Sequence, residues 1–168
     1  MSRELAITVM IVAALLVIAA MLFAWRARLR RDSGLTAPLG VPEHADVTGR
    51  AEVLYVATTR HEQPLERIAV KPLVYRARGE LVLTDRGAAL SLDGAPTVFL
   101  ASDRLVSADL ATVTIDRVVE PNGLVRIVWR IADGTLVDSY LRVADGGPHT
   151  VLAALQRLCA APESGASA

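Results

Sequence analysis

The chain has 168 residues, 52% of them hydrophobic, with 18 basic and 18 acidic side chains and a formal charge of zero. That balance is uneven: residues 1–31 hold five basic and one acidic side chain, which leaves 13 basic and 17 acidic for residues 32–168. A mildly acidic remainder lacks the basic face that nucleic acid demands, and the single cysteine, Cys159, excludes an intramolecular disulfide.

After a tail of four residues, Leu5 to Trp25 form an uncharged run in which Thr8 is the only polar side chain. At about 1.5 Å rise per residue, a helix of that length reaches roughly 31 Å, the depth of a bilayer hydrocarbon core. A cleaved signal peptide is the competing reading. Its apolar core is shorter, and Ala24-Trp25-Arg26 is no small-residue cleavage site. The run therefore predicts an uncleaved transmembrane helix over 5–25. Arg26, Arg28, Arg30 and Arg31 follow it, against Arg3 alone before it. Positive charge stays on the cytoplasmic side, so the N-terminus is expected outside the plasma (inner) membrane and the rest in the cytoplasm. Trp25 suits the membrane interface, and the four arginines could draw anionic lipid at about 1 kcal/mol each, although topology alone explains them. Ala20 and Ala24 give a small-xxx-small spacing of the kind alanine-rich spans offer by chance.

Residues 26–49 read as a basic juxtamembrane segment and linker, with two prolines and three glycines from Asp32 to Gly49. Eighteen flexible residues reach roughly 23 Å. From Arg50 onward strand signals recur: Ala51–Thr59, then a polar stretch from Arg60 to Pro64, then Ile68–Tyr75. Glu80–Thr84 and Ala88–Leu92 bracket Asp85-Arg86-Gly87, a hairpin with glycine available for positive φ. Thr97–Ala101, Val113–Val119, Leu124–Ile131 and Thr135–Val143 continue the series, with Asp93-Gly94, Asn122-Gly123 and Asp133-Gly134 as turns. In the third of these, Val125, Ile127, Trp129 and Ile131 alternate with Arg126, Val128 and Arg130, the pattern of a half-buried antiparallel strand. About seven short strands joined this way predict a barrel or sandwich.

Past Gly146-Gly147-Pro148, the residues Val151, Leu152, Leu155, Leu158 and Cys159 recur at helical spacing. One amphipathic helix that stops before Pro162 is expected, with its apolar stripe on the open end of the barrel and a disordered tail over 162–168.

Strands followed by one capping helix over residues 50–161 resemble the pleckstrin-homology superfold. The hairpin Arg78-Gly79-Glu80-Leu81-Val82-Leu83-Thr84-Asp85-Arg86-Gly87 is similar to the strand-turn of bacterial pleckstrin-homology-like and GRAM-like domains. With its N-terminal anchor, the chain resembles actinobacterial single-pass proteins described as export, transporter or membrane proteins. The resemblance implies a mainly-β PH-like barrel capped by a helix, and a partner-binding role without cofactor. Phosphoinositide-binding members of that superfamily use several basic residues in the first loop. Here Arg60, Arg67 and Lys71 are nearly cancelled by Glu62 and Glu66, which weakens a polyphosphate site.

Chemistry is hard to find. His44, His61 and His149 lack a second ligand at i+3 or i+4, and no Cys-x-x-Cys occurs, so no metal site is expected. No nucleophile elbow or phosphate-cradling glycine loop exists. Asp103, Asp109, Asp116 and Asp138 look dispersed, and Cys159 reads as a core thiol. No catalytic residue is therefore named. Candidate partner contacts are Arg60, Arg67, Lys71, Arg76 and Arg78, which could equally be gatekeepers of strand edges. Exposed strand edges and the groove beside the last helix could accept an extended peptide. The reading is a non-catalytic, membrane-anchored cytoplasmic interaction or scaffolding module for a protein partner or the membrane surface. An accessory subunit of a transport or cell-envelope complex is the alternative.

Overall fold

A computed structural model describes residues 3–32, 37–40, 42, 45–68, 71–114, 117–118 and 123–160. The chain divides into two compact units, Met1–Gly34 and Leu35–Ala168. The first is a single helix, α1 (Arg3–Asp32), whose described side chains, residues 7–27, are all exposed. Ile7–Ala27 is long and apolar enough to cross a membrane by length and composition. An isolated helix with no polar face has no core of its own to pack on. The backbone of the arginine cluster continues this helix as far as Asp32.

The second unit is an antiparallel sheet with one helix. Its strands are β1 (Val47–Arg60), β2 (Gln63–Arg67), β3 (Ala77–Thr84), β4 (Gly87–Leu92), β5 (Val98–Ala101), β6 (Leu105–Ala111), β7 (Val113–Thr114), β8 (Arg117–Val118), β9 (Leu124–Arg130) and β10 (Leu136–Val143). A helix, α2 (Pro148–Ala160), closes the described chain. The main sheet runs β5-β4-β3-β1-β10-β9-β6, with β2 beside β1, while β7 and β8 pair only with each other. Strand β1 serves two neighbours in turn: Val47–Tyr55 register with β3 and Val53–Arg60 with β10, with a bulge between Tyr55 and Ala57. A bulge sharpens local twist, and this one lies where the strand leaves β3. Strands β5 and β6 follow one another through a 3-10 turn at Ser102–Arg104 yet stand at opposite ends of the order. One core cluster draws on β1, β3, β4, β5, β6, β9, β10 and α2. The sheet therefore wraps round that core as a PH-like barrel left open between β5 and β6.

Alternation decides what enters the core. Val53 and Tyr55, Leu81 and Leu83, Leu90 and Leu92, and Val125, Ile127, Trp129 and Ile131 all point inward and are buried. Helix α2 packs on β6, β9 and β10 through Val151 and Leu155, one turn apart, while Leu152, Leu158 and Cys159 are half-buried beside them. Gly87, at φ +150°, admits no side chain, because a Cβ there would lie 2.2 Å from the Leu100 carbonyl of β5.

Several expectations fail for physical reasons. Ile68–Tyr75 is not a strand: residues 71–74 form a turn, and Pro72 has no N–H to give a ladder. The polar stretch before it holds β2, closed by a His61-Glu62 turn with Glu62 at φ 60°. Leu65 on β2 is 80% exposed, so burial does not drive this strand and its sequence shows no apolar rhythm. Val113–Val119 is not continuous either, since β7 and β8 fold back on each other. Strand β6 carries no sequence rhythm, because a bulge between Leu105 and Ser107 breaks its alternation and leaves only Leu105 and Ala108 buried. The expected linker also contributes structure: Leu39 bridges Val98, Gly40 N–H donates to the Thr97 carbonyl (3.0 Å), and Phe99 N–H donates to that of Pro38 (3.0 Å). Residues 37–40 thus lie along the outer edge of β5, joined to it by an isolated bridge and two backbone hydrogen bonds. His44, Asp116, the Glu120-Pro121-Asn122 part of the expected turn and the tail 162–168 lie outside the described residues, as do the side chains of Arg28, Arg30 and Arg31.

Candidate functional site

The five arginine and lysine candidates separate once the backbone folds. Arg67 turns inward: its Nη2 donates to the Val56 carbonyl (3.1 Å), and its charge lies close enough to Tyr55 to act on that phenol. Arg60 ion-pairs with Glu66 across the first hairpin at 3.3 Å. Lys71, Arg76 and Arg78 are exposed. The first-loop charges therefore divide between structural and solvent-facing roles and form no single cluster. Among the membrane-interface candidates, Trp25 and Arg26 lie on the exposed face of α1.

Beneath the first loop runs a buried hydrogen-bonded chain. Trp129 Nε1–H donates to Ser139 Oγ (2.9 Å), which lies 2.7 Å from Thr58 Oγ1. Tyr55 Oη lies 2.9 Å from both Thr58 Oγ1 and the Leu73 carbonyl oxygen. A carbonyl only accepts, and a phenol has one proton. Each group then donates once in the order Trp129, Ser139, Thr58, Tyr55, ending on Leu73. Burial pushes the Tyr55 hydroxyl up to about 12, because the phenolate would be desolvated. This chain ties β9, β10 and β1 to the 71–74 turn.

On the opposite, outer face, four polar side chains meet that the sequence disperses. Register places Asp109, Arg126 and Tyr140 opposite one another on β6, β9 and β10. Arg126 holds Asp109 through two hydrogen bonds, Nε to Oδ1 at 2.8 Å and Nη2 to Oδ2, and Asp109 pushes the guanidinium pKa up. Its Nη1 lies 3.7 Å from Oδ2 of Asp138, which is 1% exposed. The other Asp138 oxygen is 2.7 Å from His61 Nδ1 at the β1–β2 turn. Burial also raises Tyr140 beside them. A buried carboxylate needs such partners, and no sequence spacing announces them. Among the described residues no group of His, Cys, Asp and Glu is arranged to hold a metal. Cys159 on α2 is half-buried, which raises its thiol pKa and keeps it protonated.

Two surfaces stand out among the described residues. The first is the outer edge of β6: its inner edge pairs with β9, and α2 packs beside it, with Gln156 Nε2 donating to the Ala108 carbonyl (3.1 Å). Val106 and Ser107 on this strand are exposed. No strand covers it among the described residues, whereas residues 37–40 cover β5. The second is an open cleft of about 890 Å³ on the outer face of β4, β3, β1 and β10. Arg78 lines it, together with Arg142, which sequence reasoning passed over because a lone arginine on a strand gives no signal.

Residues 35–156 match the family model described as bacterial PH domain-like. No curated protein matches the chain. Among solved structures it is similar to the C-terminal phosphotyrosine interaction domain of APBB2 from mouse, with 11% identity and a TM-score of 0.49 over 75% of this chain and 95% of that one.

Proposed function

The chain belongs to the bacterial PH domain-like family, and on that premise we propose that it is a non-catalytic interaction module held at the cytoplasmic face of the plasma (inner) membrane by α1. The proposed organisation is the transmembrane helix at 5–25, the interaction domain to 161 and a free tail beyond. The arginine collar after Trp25 supports this orientation. PH-like domains are interaction modules, and the single observation that bears on how this one binds is the unequal treatment of the ends of its sheet. The β5 edge is occupied by residues 37–40, and the β6 edge is left without a strand partner beside an amphipathic helix. An open edge offers a row of backbone donors and acceptors, and an extended peptide satisfies them as an added strand.

A photo-crosslinking side chain placed at Val106 of the full-length chain in native membranes tests this. A protein adduct at Val106, absent when the same group replaces exposed Leu39 on the covered edge, is the expected result. Equal adducts at both positions would refute edge recognition, and adducts with lipid alone would move the site to the membrane surface. Protease added to spheroplasts tests the topology, since digestion of the domain from outside would overturn it. Exposure of α1 on every face leaves room for a second reading, an accessory subunit of a transport or envelope complex. Replacing residues 5–25 by an unrelated apolar span abolishes association only under that reading.

A further inference from the structure

The cleft over β3, β1 and β10 shows a charge pattern that selects the shape of a partner. Leu54 is the register partner of Arg78 on one side and of Arg142 on the other. Directly opposed residues in antiparallel strands share a face, and the flanking Val53 and Tyr55 point into the core. Arg78, Leu54 and Arg142 therefore form one outward row, cation–apolar–cation. With strands about 4.8 Å apart, the two arginine positions stand about 9.6 Å from each other. The next row pairs Glu80 with Glu52, and Glu80 is engaged by Arg50 at 3.2 Å. Neither Arg78 nor Arg142 makes an ion pair among the described residues, although Glu52 and Asp93 line the same cleft.

We propose that this row docks an amphipathic helix of a protein partner that presents acidic residues at positions i and i+7 with an apolar residue at i+3 or i+4. Seven helical residues rise about 10.5 Å and return to nearly the same face, which matches the arginine spacing, and the residue between them meets Leu54. A strand does not fit. Its same-face residues recur at about 6.8 and 13.6 Å, and at three residues, about 10 Å, the side chain points the other way. The exposed Glu52 beside the row favours a basic residue on that flank of the helix and disfavours a ligand that is anionic throughout, such as a polyphosphate. This surface is separate from the β6 edge, so a partner can engage both at once. The inference needs the domain to be an interaction module but not the β6 reading.

The test uses the full-length chain in zwitterionic nanodiscs and fluorescence anisotropy of a stapled helical peptide with Glu at i and i+7, Leu at i+4 and no other charge. Saturable binding is expected. It should weaken at least about tenfold for a peptide with Lys at both positions, and equally for Arg78→Glu/Arg142→Glu with the original peptide. The lysine peptide should in turn bind that double variant, a rescue that a merely unfolded domain would not give. No saturation by about 1 mM, the weak end of specific recognition, or equal affinity of both peptides for the wild type, would overturn the proposal. Crosslinking at Val106 is read separately, so either site can fail alone.

Discussion

Replacing Ser139 by alanine cuts the buried donor chain at its centre. Ser139, Thr58 and Trp129 are 3%, 2% and 0% exposed, so water cannot take the place of the lost hydroxyl. The Trp129 Nε1–H loses its acceptor, and leaving one buried donor unpaired costs about 1–3 kcal/mol. Thr58 keeps Tyr55 as a neighbour at 2.9 Å, so its loss is partial. A total near 2 kcal/mol follows, which for a domain of this size lowers Tm by about 7 °C. Thermal unfolding of the full-length chain in detergent, followed by circular dichroism, measures it. A Trp25→Phe background isolates the Trp129 emission. Coupling is the sharper readout. Thr58→Val removes the neighbouring link, so the double variant should be less destabilised than the two singles predict, by at least about 0.5 kcal/mol. A Tm change under about 2 °C, or strict additivity, would refute the reading of these groups as one chain.

Tyr55 gives a pH dependence whose sign is fixed by burial. Its hydroxyl titrates near 12 in the fold and near 10 unfolded, so its stabilising contribution is whole below about pH 10 and is lost as pH rises towards 12. Urea titrations at about pH 9 and 11.5 should show a steeper loss in wild type than in Tyr55→Phe, and parallel losses would contradict the assignment. Gly79→Ala places a Cβ 2.1 Å from the Ser91 carbonyl oxygen, which separates β3 from β4. Loss of more than about 3 kcal/mol is expected, and a neutral result in a denaturant melt would mean the strands lie further apart. Arg126→Met leaves Asp138 with its hydrogen-bond contact to His61 but without the guanidinium. A loss of about 1–2 kcal/mol, more than for the exposed Arg78→Met, would register that burial; equal losses would show that the carboxylate does not need the guanidinium.

Sequence alone determined what depends on local pattern. Twenty-one uncharged residues are apolar whatever they meet, glycine and asparagine turns bend locally, and a 3.6-residue stripe has one apolar side. Hence α1, the β3–β4 hairpin, β9, β10 and α2 were legible. Strand β2, with exposed Leu65, and bulged β6 were not, because no alternation marks a strand whose register is set by its neighbour. Only the tertiary structure decided which polar side chains meet. Asp109, Arg126, Asp138 and His61 come together because β6, β9, β10 and the β1–β2 turn are adjacent in the curled sheet, and adjacency between strands far apart in the chain leaves no trace in residue spacing. The same holds for Arg78 and Arg142, brought into one row by a single residue of β1, and for residues 37–40, which meet β5 across some sixty residues of chain.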